Sequence, residues 1–190
     1  MEYPNSIDEM RRKSPLHFEA KADNARYAAY AMHSLDKEVA VRFANDIDYG
    51  GTPSIALNES FLREAAIALE LIVKAVIAQR IESRTSIATV TKVRATHDLL
   101  ALWDDAGLQK LQENDLRVLL HAKQVLYWSG RYAATKTDNA SIKEDDTEDR
   151  VVSRRTGGNL AVLASATLHW DSFNRIYLMA ATEFWKVRNL

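Results

Sequence analysis

The sequence predicts an all-α protein, an antiparallel up-and-down bundle of about five helices. Three observations predict it. The prolines (Pro4, Pro15, Pro53) stop at position 53, so nothing after that forbids long helices. The glycines fall as Gly50-Gly51, Gly107, Gly130 and Gly157-Gly158, which cut the chain into pieces of helical length. Between these cuts run Ala- and Leu-rich segments with apolar residues three and four apart and no sustained strict alternation. At 190 residues the chain suits a single domain, 1–190, with a helical N-terminal extension at 1–53.

The elements follow in order. Ser14-Pro15 reads as an N-cap followed by proline in the first turn. Phe18, Ala22, Ala25, Ala29 and Met32 then make one narrow apolar stripe, and the helix breaks near His33-Ser34 before continuing to Ile47. The turn at 48–53 leads into the central helix, expected from about Ser54 to Ile81. From Ala65 to Ala78 twelve of fourteen residues are apolar, so this helix should have neighbours on every side. Only Glu70 and Lys74 interrupt it, four apart and in the favourable acid-first order.

A Thr- and Ser-rich connector from about Glu82 to Ala95 follows. Together with Arg80 it carries Arg84, Lys92 and Arg94 against Glu82 alone, an anion-attracting excess. Thr96 is expected to cap a short helix with Asp98 in its first turn, and Gly107 to end it in the left-handed conformation. A further helix is expected from Asn114 to Ser129, and a last one from Asn159 to about Val187. In that last helix Leu163, Ala166, Trp170, Phe173, Tyr177, Ala180 and Phe184 form a heptad-like seam, facing either the bundle or a second copy. The stretch 135–158 stands apart. Between Asp138 and Asp149 it holds six acids, one Lys and one large apolar residue, so it is expected to be a mobile acidic loop.

Composition narrows the chemistry. With 25 Lys and Arg against 26 Asp and Glu, the formal charge of −1 provides no global basic field for nucleic acid. The absence of Cys excludes a thiol nucleophile, a disulfide framework and Cys-based metal sites. No apolar run is long enough to span a bilayer, and the polar start does not read as a signal peptide, so a cytoplasmic protein without a membrane partner is expected. None of the five His forms a zinc motif, and no glycine-rich phosphate loop is present. Neither a metal nor a cofactor is expected.

Two constellations remain. Arg117, His121, Gln124 and Trp128 fall on one helical face, with Arg131 and Tyr132 just beyond. Cations interleaved with aromatic rings suit a phosphate and a stacked base; the plain alternative is a solvated helix face. The second constellation joins Glu70 and Lys74 to Arg94 and His97. It reads either as a structural ion pair with a surface His or as a site in which the pair orients His97 beside a phosphate.

Three segments in order carry a resemblance. FLREAAIALELIVKAVIAQR holds a Glu, three apolar residues and Lys-Ala. THDLLALW opens the short helix, and LRVLLHAKQVLYWSGRYAAT ends near an Arg-Tyr pair. Over about Phe61–Ala134 the chain thereby resembles the HEPN domain family, and the helix from Asn159 fits that family's closing helix. The resemblance implies a helical bundle, commonly a homodimer, that associates with RNA or nucleotides. It also implies a place in toxin–antitoxin or defence systems, some members pairing with a nucleotidyltransferase-like antitoxin. Active members are metal-independent ribonucleases with an Arg and a later His separated by four to six intervening residues near the last helices. Here that spacing occurs only near the N-terminus, from Arg11 or Arg12 to His17 and from Arg26 to His33. Arg117 and His121 are one residue too close, His169 precedes Arg175, and Ala133 stands where the family has Pro. The expected function is therefore a non-catalytic RNA- or nucleotide-binding module. The alternatives are an atypical ribonuclease, with His97, His121 and Arg131 as candidate catalytic residues, and a purely structural or regulatory protein-interaction domain.

Overall fold

The computed structural model describes residues 11, 13–84, 90–129 and 168–190. Among these, six α-helices and no strand occur: α1 Pro15–Ser34, α2 Lys37–Asp46, α3 Pro53–Glu82, α4 Leu99–Asp105, α5 Glu113–Gln124 and α6 Trp170–Arg188. The all-α expectation holds for them. Position 12, the acidic stretch 135–158, Arg131 and Tyr132 lie outside the described residues.

The 30-residue α3 packs against every other described helix. Its middle is buried throughout, with only Ile67 and Leu71 half-exposed between Ala65 and Ala78. This is what an apolar circumference requires: each fully buried Leu, Ile or Val here contributes about 1.5–3 kcal/mol. α1 meets it through Ala22, Ala25 and Ala29, all buried, and such small side chains let the two backbones approach closely. Ser14 caps α1 by accepting the His17 N–H at 3.3 Å. The break after Ser34 is present, and Asp36 caps the separate α2.

The seam of α6 faces inward: Phe173, Tyr177, Ala180 and Phe184 are buried, and Trp170 half-buried. Leu163, Ala166 and the stretch from Asn159 to Thr167 lie outside the described residues. Two helix boundaries differ from expectation. Asp98, not Thr96, caps α4, because its Oδ1 accepts the Ala101 N–H at 3.2 Å while Thr96 Oγ1 accepts the N–H of Asp98. The helix expected to run to Ser129 changes character at Gln124, where Val125–Ser129 form a π-helical turn. Gly107 does follow α4 with φ 59°, a conformation costly for residues with a Cβ.

Buried polar groups tie the helix ends together. Arg80 near the end of α3 donates to the Ala106 carbonyl and, at 2.6 Å, to Glu183 on α6. Asp115 on α5 is bridged by both terminal nitrogens of Arg175 on α6, at 2.6 and 2.9 Å. Arg94 makes a two-point contact with Asp105 at 2.8 and 2.9 Å.

Candidate functional site

The acid–base couple within α3 is the start of a larger cluster. Glu70 and Lys74 lie one turn apart on the same face, and Lys74 Nζ meets Glu70 Oε1 at 2.5 Å. Both are buried. The other carboxylate oxygen, Oε2, meets His97 Nδ1 at 2.8 Å. His97 comes from the irregular chain before α4, so one buried carboxylate joins two elements 27 positions apart. A carboxylate at Nδ1 fixes the imidazole plane and leaves Nε2 as the ring's other polar atom.

The His97 ring is 39% exposed at its side chain. It meets Tyr127 edge-on, with centroids 5.8 Å apart and planes at 88°. Tyr127 belongs to the π-helical turn, and its own ring is exposed. Next to His97, Asp98 caps α4 with one oxygen and pairs with Lys123 Nζ at 3.1 Å with the other. Burial works against the Asp98 charge. The Ala101 N–H and Lys123 outweigh it and hold the carboxyl below its ordinary range. The cluster thus offers an oriented imidazole and an exposed phenol ring, with Lys74 buried beneath them and Lys123 at the edge, each lysine held by a carboxylate.

The other expected site residues are placed differently. Arg94 is turned toward Asp105, and Arg80 is sequestered by Ala106 and Glu183, so two cations of the expected anion-attracting connector are already neutralised. Arg117 pairs with Glu113 at 3.2 Å, one turn away, and its side chain is largely buried. His121 Nδ1 accepts the Leu168 N–H at 3.2 Å, which makes it a tie between α5 and the start of α6. Burial, and secondarily His169, push the His121 pKa down. The face through Arg117, His121 and Gln124 is half-buried rather than solvated. Arg131 and Tyr132 lie outside the described residues, and the Trp128 side chain is likewise not described.

Sequence reasoning missed Tyr127 and Lys123. Their four-residue spacing on one face was the signal, but the eye is drawn to Trp128 and Arg131 instead. Among the described residues, no group of three or more His, Asp or Glu side chains is placed to hold a metal ion, and no helix is long and apolar enough to cross a membrane. Comparison with family models, with curated proteins and with solved structures returned no match.

Proposed function

We propose that this chain is a HEPN-like helical-bundle module, paired as a two-fold dimer, that binds RNA or a nucleotide without cleaving it. A nucleotidyltransferase-like antitoxin as partner belongs to the same reading. The observation that carries it is the Glu70 carboxylate shared by Lys74 and His97, with the half-exposed His97 ring set against Tyr127. An imidazole held by a carboxylate can donate to a phosphate when protonated, and an exposed phenol ring gives a base a surface to stack on. Arg94 and Arg117 already have carboxylate partners, so neither supplies the unpaired cation that cleavage would set against a reacting phosphate, and His97 and Tyr127 carry the binding.

Fluorescence-anisotropy titration of the full chain with short labelled RNAs and with nucleotides tests this. One base–aromatic stack is worth about 1–3 kcal/mol, so Tyr127→Ala should weaken binding about 5- to 150-fold. His97→Ala should weaken it as well, with the RNA left intact. Absence of binding by the unmodified chain, or affinity unmoved by both substitutions, overturns the reading.

The Glu70–His97 contact specifically favours a second reading, metal-independent cleavage. His97 would take the ribose 2′-hydroxyl proton as that oxygen bonds to phosphorus, while the P–O5′ bond breaks and the departing 5′-oxygen takes a proton from water. The products are a 2′,3′-cyclic phosphate and a 5′-hydroxyl end. Cleavage with a chelator present, abolished by His97→Ala, would replace the first reading with this one.

A further inference from the structure

We propose that the cavity between α1, α2 and the start of α3 binds a small monocarboxylic acid with an apolar body. The carboxylate would meet Lys37, and the body would lie against Met32, Leu35 and Leu57. Such a site lies beyond the proposed RNA or nucleotide reading and does not depend on it: none of the residues clustered around His97 lines this cavity.

The space follows from how little α2 inserts between its neighbours. It is ten residues long, and Ala40 is its only buried residue. One methyl-sized knob leaves the gap between the end of α1 and the first turns of α3 unfilled, and about 450 Å³ remains. Small-molecule sites run to about 300–1,000 Å³, so a compact ligand fits.

The lining is divided by polarity. At the floor Phe61 and Ala40 are buried, and Met32, Leu35 and Leu57 are half-buried. The half-buried three still have apolar surface to remove from water, which is what an apolar body would do. At the mouth stand Lys37, His33, Thr52, Ser54 and Asn58, all exposed. A greasy floor under a few polar groups is the ordinary build of a small-ligand site.

Charge then selects the head group. No lining residue is acidic, so Lys37 is the cavity's one formal charge. Among the described residues Lys37 has no carboxylate partner, because the neighbouring Asp36 turns to the backbone, accepting the Glu38 and Val39 N–H groups. Thr52, although the N-cap of α3, makes no side-chain cap bond, so its hydroxyl is free to donate. The His33 ring is held by rings alone, stacked on Trp170 at 6.1 Å and tilted against Phe61 at 5.6 Å. One ammonium with hydroxyl donors beside it matches a carboxylate. A cation finds no acid here, and a polyphosphate would need more than one positive charge. The larger space along α6, about 820 Å³, has no such unspent charge: its Arg80 and Arg175 already face Glu183 and Asp115.

Amide NMR of the nitrogen-labelled full chain, titrated with octanoate and with octylammonium, tests this, and far-UV melting confirms that each variant is folded. The two probes share one chain and carry opposite charges. Octanoate should shift amides within residues 32–61 saturably and bind more tightly than octylammonium. Lys37→Met should weaken octanoate about 2- to 5-fold, the worth of an exposed ion pair. Lys37→Glu should reverse the order of the two probes. Val41→Trp, which fills the mouth from a position 52% exposed, should abolish the shifts with both. No saturable shift with octanoate overturns the proposal. So does equal affinity for the two probes, an order that Lys37→Glu leaves unchanged, or shifts centred on α6. A chain that takes octanoate without binding RNA loses only the RNA reading; one that binds RNA and ignores octanoate loses only this one.

Discussion

Replacing Glu70 by Ala removes the one carboxylate that both Lys74 and His97 engage. The Lys74 ammonium, buried and 2.5 Å from that carboxylate, would be left without its counter-charge in a low-dielectric interior. Removing one partner of a buried pair typically costs about 3–5 kcal/mol, most of it the penalty of the stranded charge. For a chain of this size each kcal/mol shifts Tm by about 2–4 °C, so Glu70→Ala should melt about 6–20 °C lower. Replacing both members with apolar residues of similar volume, Glu70→Leu with Lys74→Met, leaves no buried charge behind, and the His97 ring that loses its carboxylate is 39% exposed and open to water. The double replacement should be neutral or more stable by about 1–4 kcal/mol. The assay is urea unfolding of the unmodified chain, Glu70→Leu, Lys74→Met and the apolar pair, read as a double-mutant cycle, with Glu70→Ala measured beside them. If Glu70→Ala costs less than about 1 kcal/mol, or if the pair costs the sum of its singles, Glu70 and Lys74 are not coupled as a buried charge pair.

Two further outcomes follow from the same geometry. The folded-state pKa of His121 lies below its unfolded value, so the unfolded chain binds the extra proton and stability rises with pH. The contribution is complete above about pH 6.5 and is lost as pH falls toward the folded pKa, because protonated Nδ1 cannot accept from Leu168. Urea midpoints between pH 5 and 8 should therefore slope less in His121→Gln, and equal slopes would refute the assignment. Asp98→Ala removes the α4 cap and the partner of Lys123 together. It should cost about 1–2 kcal/mol in urea unfolding, and Asp98→Asn, which keeps a capping oxygen, less than that.

What could be read from the sequence was what local spacing controls. The Glu70–Lys74 pair needs only one helical turn, the Ser14 cap only a three-residue reach, and the enclosure of α3 only its lack of a polar face. The His97–Glu70 contact stood only as one of two alternatives, because its 27-residue reach is set by how the chain before α4 packs on α3. The fate of the arginines was not legible at all. Arg80 and Arg94 look alike in a basic connector, yet one is sealed under α6 by Glu183 and the other is turned onto Asp105. Tyr127 was passed over because a π-helical turn changes which residue of an aromatic pair comes round to a neighbour.

The Arg80 guanidinium joins the last turn of α3, the residue that ends α4 and the C-terminal half of α6. Segments sharing one buried donor cannot open singly without abandoning it, so their amide protons should trade with solvent in a single concerted event at nearly the global unfolding free energy. α2, with one buried alanine, has no such tether and belongs to the opposite end of the scale, breathing long before the rest.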